Sequence, residues 1–465
     1  MKTQVVNPHI GNFVKSLRDV GYTFEIAVAD VLDNSITANA TEITIHTVAQ
    51  PKIIFAMLDN GDGMSEDELT EAMRLATKNP EDSRDKKDLG RFGLGLKTAS
   101  FSQCKRLTVL SKKDKKASIK QWDLEYISNN NSWLLITPNI LDFKEFPLVK
   151  EFNKLKHGTL VIWQEIDRYR ERAFSNNIEK LRKHLSLVFH RFLENRLKIS
   201  INSDYLKPFD PFNAKSNSTF KKSSEKIKIF GSNIKITPYI LPHHSKVSQQ
   251  EWNRYSTDDG YIKSQGFYLY RVNRLLIHGT WWGLHKAIDA HKLVRIKIDI
   301  TNEQDSYWGI DIKKSSANPI PEIKKDLKRV IVEVTKEGVK PFIARAKKIE
   351  DRTTTRFWST IPMSSDFRFG INKEHPIYQK LRESMSDDTI SMFDIYLKGL
   401  EAYLPLEAIQ SNLQQNPHKV KQEEALSQDD LKSMVEKLKS AGLSEEYIES
   451  LLKTEMFKDR KELLK

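Results

Sequence analysis

Three short stretches within the first hundred residues, in a fixed order, constrain this chain more than any bulk property. A helical pattern over 24–40 places Asp30, Asp33, Asn34 and Thr37 at i, i+3, i+4 and i+7, on one face, with Ile26, Ala29, Val31, Leu32 and Ile36 supplying apolar surface elsewhere. A strand-like apolar run over 53–58 then ends in Asp59-Asn60-Gly61-Asp62-Gly63-Met64. A carboxylate at a strand end can accept a hydrogen bond in a tight pocket, and the glycines let backbone approach a planar ligand. The third stretch is Gly90-Arg91-Phe92-Gly93-Leu94-Gly95-Leu96-Lys97. Three glycines leading into a helix aim free N–H groups and the positive end of the helix dipole at one spot, which suits phosphate. It lacks the GKS/T ending of a Walker loop and does not follow a first strand as a dinucleotide fingerprint would. Singly, each stretch also reads as something plain: a solvated helix face, a turn, a loop. Their order and spacing carry the information.

At roughly 150 residues per domain, 465 residues allow about three domains. A 39% hydrophobic and 29% charged composition excludes wholesale disorder. The single cysteine, Cys104, excludes an intrachain disulfide and a cysteine-based zinc site. No apolar run reaches the ~18 residues of a membrane span, and the first 30 residues contain no continuous signal-peptide core, so a cytoplasmic protein with no membrane partner is expected. The net charge is +13. Residues 196–350 hold 29 Lys+Arg against 16 Asp+Glu, an excess equal to that of the whole chain. A polyanionic partner, nucleic acid first, follows as an expectation.

Strands are predicted over 42–48, 52–58, 106–111 and 158–163, and a helix from Ser175 through Phe192. Further strands are predicted at 197–201, 227–230, 267–270 and 294–300, with a helix over 322–349. Ser427 and Ser444 are plausible N-caps of two tail helices, with Gly442 between them. The division is 1–200, 201–350, a mixed connecting segment 351–416 and a helical tail 417–465.

A fourth piece, His157-Gly158-Thr159-Leu160-Val161-Ile162-Trp163, completes an ordered set that resembles the GHKL ATPases: gyrase, the heat-shock chaperone ATPase, histidine kinases and MutL. The resemblance implies an α+β chain with a Bergerat-type sandwich. Asp59 would accept from the adenine amino group with Thr159 nearby, and Gly61, Gly63 and Met64 would border the base. Asn34 would give its carbonyl oxygen to Mg²⁺, a hard cation. Gly90, Arg91, Phe92, Gly93, Leu94, Gly95, Leu96 and Lys97 would cradle the phosphates of ATP. Residues 74–89, with Lys78, Arg84, Lys86 and Lys87, would form a lid. Asp30 stands where the family carries a glutamate as general base, so hydrolysis is expected to be slow.

The stretch Gly266 to Leu276, with Tyr270-Arg271-Val272-Asn273-Arg274-Leu275, resembles the S5-like transducer domain of the MORC branch. Such domains present a lysine to the γ-phosphate, and the resemblance implies that Lys313 or Lys314 would fill that role here. Ile371-Asn372-Lys373-Glu374-His375-Pro376 resembles a prokaryotic MORC-like signature; His375 reads as a structural turn, and Trp281-Trp282 as core or interface. Candidate DNA contacts are Lys112, Lys113, Lys115 and Lys116, and Lys221, Lys222, Lys226 and Lys228. The resemblance implies an ATP-gated, homodimeric DNA clamp with a possible effector protein partner and a link to prokaryotic antiviral defence. A chaperone-like ATPase acting on protein clients, or an ATP-binding scaffold with little turnover, are the alternatives.

Overall fold

Seven strands, β1 (Glu42–Val48), β2 (Ile54–Asp59), β3 (Arg106–Lys113), β4 (Lys116–Asp123), β5 (Gly158–Gln164), β6 (Lys198–Ile201) and β7 (Asp204–Tyr205), form one sheet in the order β4-β3-β5-β2-β1-β6-β7. Only β1 and β6 run parallel. Alternation along the strands sorts the side chains. Ile43, Ile45, Phe55 and Met57 join the core beneath the helices, while Ala56, Leu58, Leu110 and Leu160 pack with Phe143, Val149 and Phe152. Helices α1 (Ile10–Arg18), α2 (Phe24–Thr37), α3 (Glu66–Met73), α4 (Gly95–Gln103), α5 (Leu124–Asn130), α6 (Val149–Lys154) and α7 (Phe174–Val188) complete this part. The description comes from a computed structural model and covers residues 3–463 apart from 5, 7–8, 76–88, 91–94, 230, 347–352, 364–365, 416–418, 421–425 and 441–443.

Helix α2 decides the site. Every position from Ala27 through Asp33 is buried. Its polar stripe is therefore not a solvated face: Asp30 and Asp33 are 2% and 1% exposed, and only Asn34 and Thr37 of the four reach the surface. The helix stops at Thr37, three residues short of the sequence expectation, because Asn39 turns left-handed at φ 61°. Helix α1 seats Val14 in the same core and stacks Phe13 edge-on against Trp133 at 6.1 Å.

Six further strands, β8 (Phe220–Lys221), β9 (Glu225–Ile229), β10 (Ser232–Ile240), β11 (Gly266–Arg271), β12 (Arg274–Thr280) and β13 (Val294–Ile300), form a second mixed sheet in the order β12-β11-β13-β10-β8, with β9 also on β10. One face buries Ile234, Ile236, Phe267, Leu269, Ile296 and Ile298 under Ile323, Leu327, Val330 and Val334 of helix Pro321–Ala346. Trp281 is buried in this core and Trp282 stacks on Phe267 at 5.1 Å. The β11–β12 turn, Val272-Asn273, has positive φ at both residues, the geometry of a tight hairpin.

Met1–Leu241 with Tyr255–Thr335 make one compact unit; Pro242–Arg254 with Lys336–Lys465 make another. The second has its own small core of Leu431, Val435, Leu451, Met456 and Phe457 and a hairpin of β14 (Trp358–Pro362) and β15 (Phe367–Ile371). Ser427 and Ser444 cap their helices, whereas Gly442 lies outside the described residues. His375 caps helix Pro376–Glu383 and stacks on Phe357 at 4.1 Å, a structural role. No helix among the described residues is long and apolar enough to cross a membrane.

Candidate nucleotide site

The base end is built on the sheet. Asp59 closes β2 beside Thr159 of β5. One carboxylate oxygen accepts from Ser35 Oγ at 2.7 Å; the other accepts from Gly61 N at 2.9 Å and Thr159 N at 3.2 Å. Burial pushes the Asp59 carboxyl up, and these donors pull against it. The Thr159 hydroxyl meets Ser111 Oγ at 2.9 Å, and Ser111 Oγ also accepts from Met64 N at 2.8 Å. Gly63 has φ 68°, and a Cβ there would lie 1.9 Å from the Lys112 carbonyl oxygen. A Cβ on Gly61 would lie 2.7 Å from the Ala38 carbonyl oxygen at the end of α2. Both glycines are thus demanded by backbone packing, beyond any demand of a ligand.

The phosphate end lies between α2 and α4. Asp30 Oδ2 is 3.9 Å from where a Cβ on Gly95, the first residue of α4, would stand. Gly90, Gly95, Leu96 and Lys97 are described; Arg91, Phe92, Gly93 and Leu94, and the lid residues Lys78, Arg84, Lys86 and Lys87, lie outside the described residues. The Lys97 side chain is buried and donates to Ala72 O at 2.9 Å, so it braces the end of α3.

Two cations from the second sheet region complete this end. Arg274, at the start of β12, donates from Nε to Asp33 Oδ1 at 2.7 Å and approaches Asp30 Oδ1 at 3.5 Å. Lys314 Nζ lies 2.5 Å from Asp33 Oδ2 and 3.2 Å from Asp30 Oδ1. The remaining Asp30 oxygen accepts from Tyr22 OH at 2.9 Å. Two buried carboxylates thus face two buried cations, the pairing that makes charge tolerable in an interior. Burial raises the Asp30 carboxyl, with Lys314 and Arg274 opposing. Of the two candidate lysines, Lys314 reaches the carboxylates. Lys313 instead meets the Gly21 carbonyl oxygen at 3.4 Å. The same hairpin sends Arg271 to Asp305, at 2.7 and 2.8 Å, and to Leu89 O at 3.1 Å, just before Gly90.

The residues fit Mg²⁺ and ATP on one point of chemistry. Asn34 is exposed just after the buried run of α2, and its amide nitrogen turns back to Asp30 O at 3.4 Å. That leaves the carbonyl oxygen, a hard-cation ligand, without a partner among the described residues.

Sequence reasoning reached Asp30, Asn34, Asp59 and Thr159, but not the acceptor role of Asp33 or the donors Tyr22, Ser35, Ser111 and Arg274. Arg274 sat within a recognised motif, which was the available signal. The charged hairpin needs correction. Lys112 is buried and donates to the carbonyls of Phe152 and Asn153, both at 3.0 Å, and of Leu155 at 3.2 Å, capping α6; it cannot contact DNA as placed. Lys113 pairs with Glu68 at 2.7 Å. Lys115 and Lys116 are exposed at the β3–β4 turn. Lys222 pairs with Glu333 at 3.0 Å, whereas Lys221, Lys226 and Lys228 are exposed.

Residues 22–159 match the family model described as histidine kinase-, DNA gyrase B-, and HSP90-like ATPase. No curated protein matches the chain. The match spans α2, Asp59, α4 and the start of β5, though not Arg274 or Lys314; it supports a GHKL-type ATPase domain over residues 22–159 and, with it, ATP binding.

Proposed function

We propose that the chain hydrolyses ATP and that the second sheet region senses the nucleotide through Arg274 and Lys314. One observation carries this reading: these cations, 241 and 281 residues away in sequence, pair with Asp33 in the nucleotide domain. Asp30 takes a proton from the attacking water; the water oxygen bonds to the γ-phosphorus, the bond to the bridging oxygen breaks, and ADP leaves. Arg274 and Lys314 offer fixed positive charge to the negative charge that accumulates on the transferring group. Mg²⁺, held through Asn34 Oδ1, would neutralise phosphate charge when bound.

The wider proposal is an ATP-gated homodimer that encloses DNA. In support, Lys226 of β9 and Lys235 of β10 are register partners, and both are exposed on the sheet face that also carries Lys228 and Lys221. Contacts of such lysines go to phosphates, so binding should be insensitive to sequence and steep in salt. The defence role and an effector partner rest on the resemblance alone. Solution mass and phosphate release, each with and without ATP·Mg²⁺ and DNA, test the reading. Nucleotide-dependent doubling of mass and salt-sensitive DNA binding are expected. Absence of turnover would overturn hydrolysis; a monomer that ignores DNA would overturn the clamp.

A further inference from the structure

Arg274 and Lys314, the cations that pair with Asp30 and Asp33, also line a cavity. Its volume is about 170 Å³, and its apolar lining comes from Ile26, Val188 and residues 275–277 of β12. Its polar lining is Arg274, Lys313, Lys314, Ser315, His184 and His278. This is smaller than the ~300 Å³ at which sites for drug-sized ligands begin, yet far above the ~15 Å³ that one water needs.

The lining is short of negative charge. Arg274 and Lys314 are balanced by Asp30 and Asp33, but Lys313 has no carboxylate within 4 Å among the described residues. The acid on its loop, Asp311, is already engaged by Ser315 N at 2.7 Å, Ser315 Oγ at 2.9 Å and Ser316 N at 3.0 Å. His184 on α7 is half-buried and His278 on β12 is exposed, and neither side chain has a hydrogen-bond partner among the described residues. Burial and the Arg274 guanidinium hold His184 down at about 3, so at neutral pH it is uncharged and offers one ring N–H. A partly open cavity lined by cations and by imidazole N–H groups that no protein acceptor engages favours a compact oxyanion with several acceptor oxygens.

We propose that this cavity is a binding site for inorganic phosphate, held by Lys313, His184 and His278 and bordered by Lys314 and Arg274. Two of its cations are those that flank Asp30, so the site adjoins the place where phosphate is freed. Its role as the product's first stop rests on the hydrolysis proposed above; phosphate binding itself does not.

The test is calorimetric titration of the nucleotide-free full chain with inorganic phosphate, repeated with Lys313→Ala and His278→Ala. His278 is exposed and Lys313 half-buried, and circular dichroism checks the fold of each variant. One saturable site is expected, weakened about 10-fold or more by each substitution, as loss of a hydrogen bond to a charged group implies. No saturable heat, or unchanged affinity in both variants, would overturn the site. A further titration adds a non-hydrolysable ATP analogue. Phosphate binding that persists beside bound analogue supports a separate cavity; complete competition places phosphate at the γ-position and overturns it. Failure of the analogue to bind would instead strike the nucleotide reading, leaving the variant comparison intact.

Discussion

The two ends of the nucleotide site are assembled on different principles. At the base end, Asp59 is satisfied by a hydroxyl and two backbone N–H groups, all within residues 35–159. At the phosphate end, Asp30 and Asp33 depend on Arg274 and Lys314, side chains from another sheet region. The first is held by local hydrogen bonds alone. The second exists only while two distant parts of the chain stay together, and on that rests the proposal that it senses the nucleotide.

The largest expected effect breaks one end and spares the other. Asp30→Asn, or Lys314→Met, should lower single-turnover hydrolysis about 10²–10³-fold, the scale of losing a preorganised group, while analogue affinity changes little. Equal loss of affinity and rate would merge the two ends. Asp59→Asn should do the reverse, weakening analogue binding about 10–100-fold through a lost charged acceptor, as read by fluorescence titration. Gly63→Ala should lower the melting temperature, because a Cβ at φ 68° meets the Lys112 carbonyl at 1.9 Å; such substitutions cost more than about 1 kcal/mol. A shift in pH acts on both ends. Burial raises both carboxyls, and both must be ionised to work. Binding and turnover should therefore fall as pH falls, with midpoints above the ordinary aspartate value of about 3.9. The smallest effect lies outside the site: Lys226→Glu with Lys228→Glu should reduce the salt slope of DNA binding by about one per lost phosphate contact and leave ATP affinity unchanged.

The base end was largely legible in the sequence because its chemistry is local. Asp59, Gly61 and Gly63 are nearly contiguous, and Thr159 is brought alongside by strand pairing whose β-branched pattern is plain. The phosphate end was legible only in half. The stripe on α2 displayed Asp30 and Asp33, but nothing in a helical period tells a solvated carboxylate from one buried against a guanidinium 241 residues away. The loop Lys313-Lys314 posed the same difficulty: adjacent lysines differ in direction, and only the fold turns Lys314 inward. Lys112 misled for a related reason. A run of lysines around a turn looks solvated, yet strand alternation points one of them inward to cap a helix.

The contact between Arg274 and Asp33 is the point on which the account stands, and a double-mutant cycle tests it most directly. Asp33→Asn, Arg274→Gln and the double variant would be compared in single-turnover hydrolysis and chemical denaturation. Contacting residues couple by about 0.5–3 kcal/mol, so the double variant should be clearly less damaged than the sum of the single ones. Strict additivity, within about 0.5 kcal/mol in both measurements, would contradict the claim that the second sheet region completes the phosphate end.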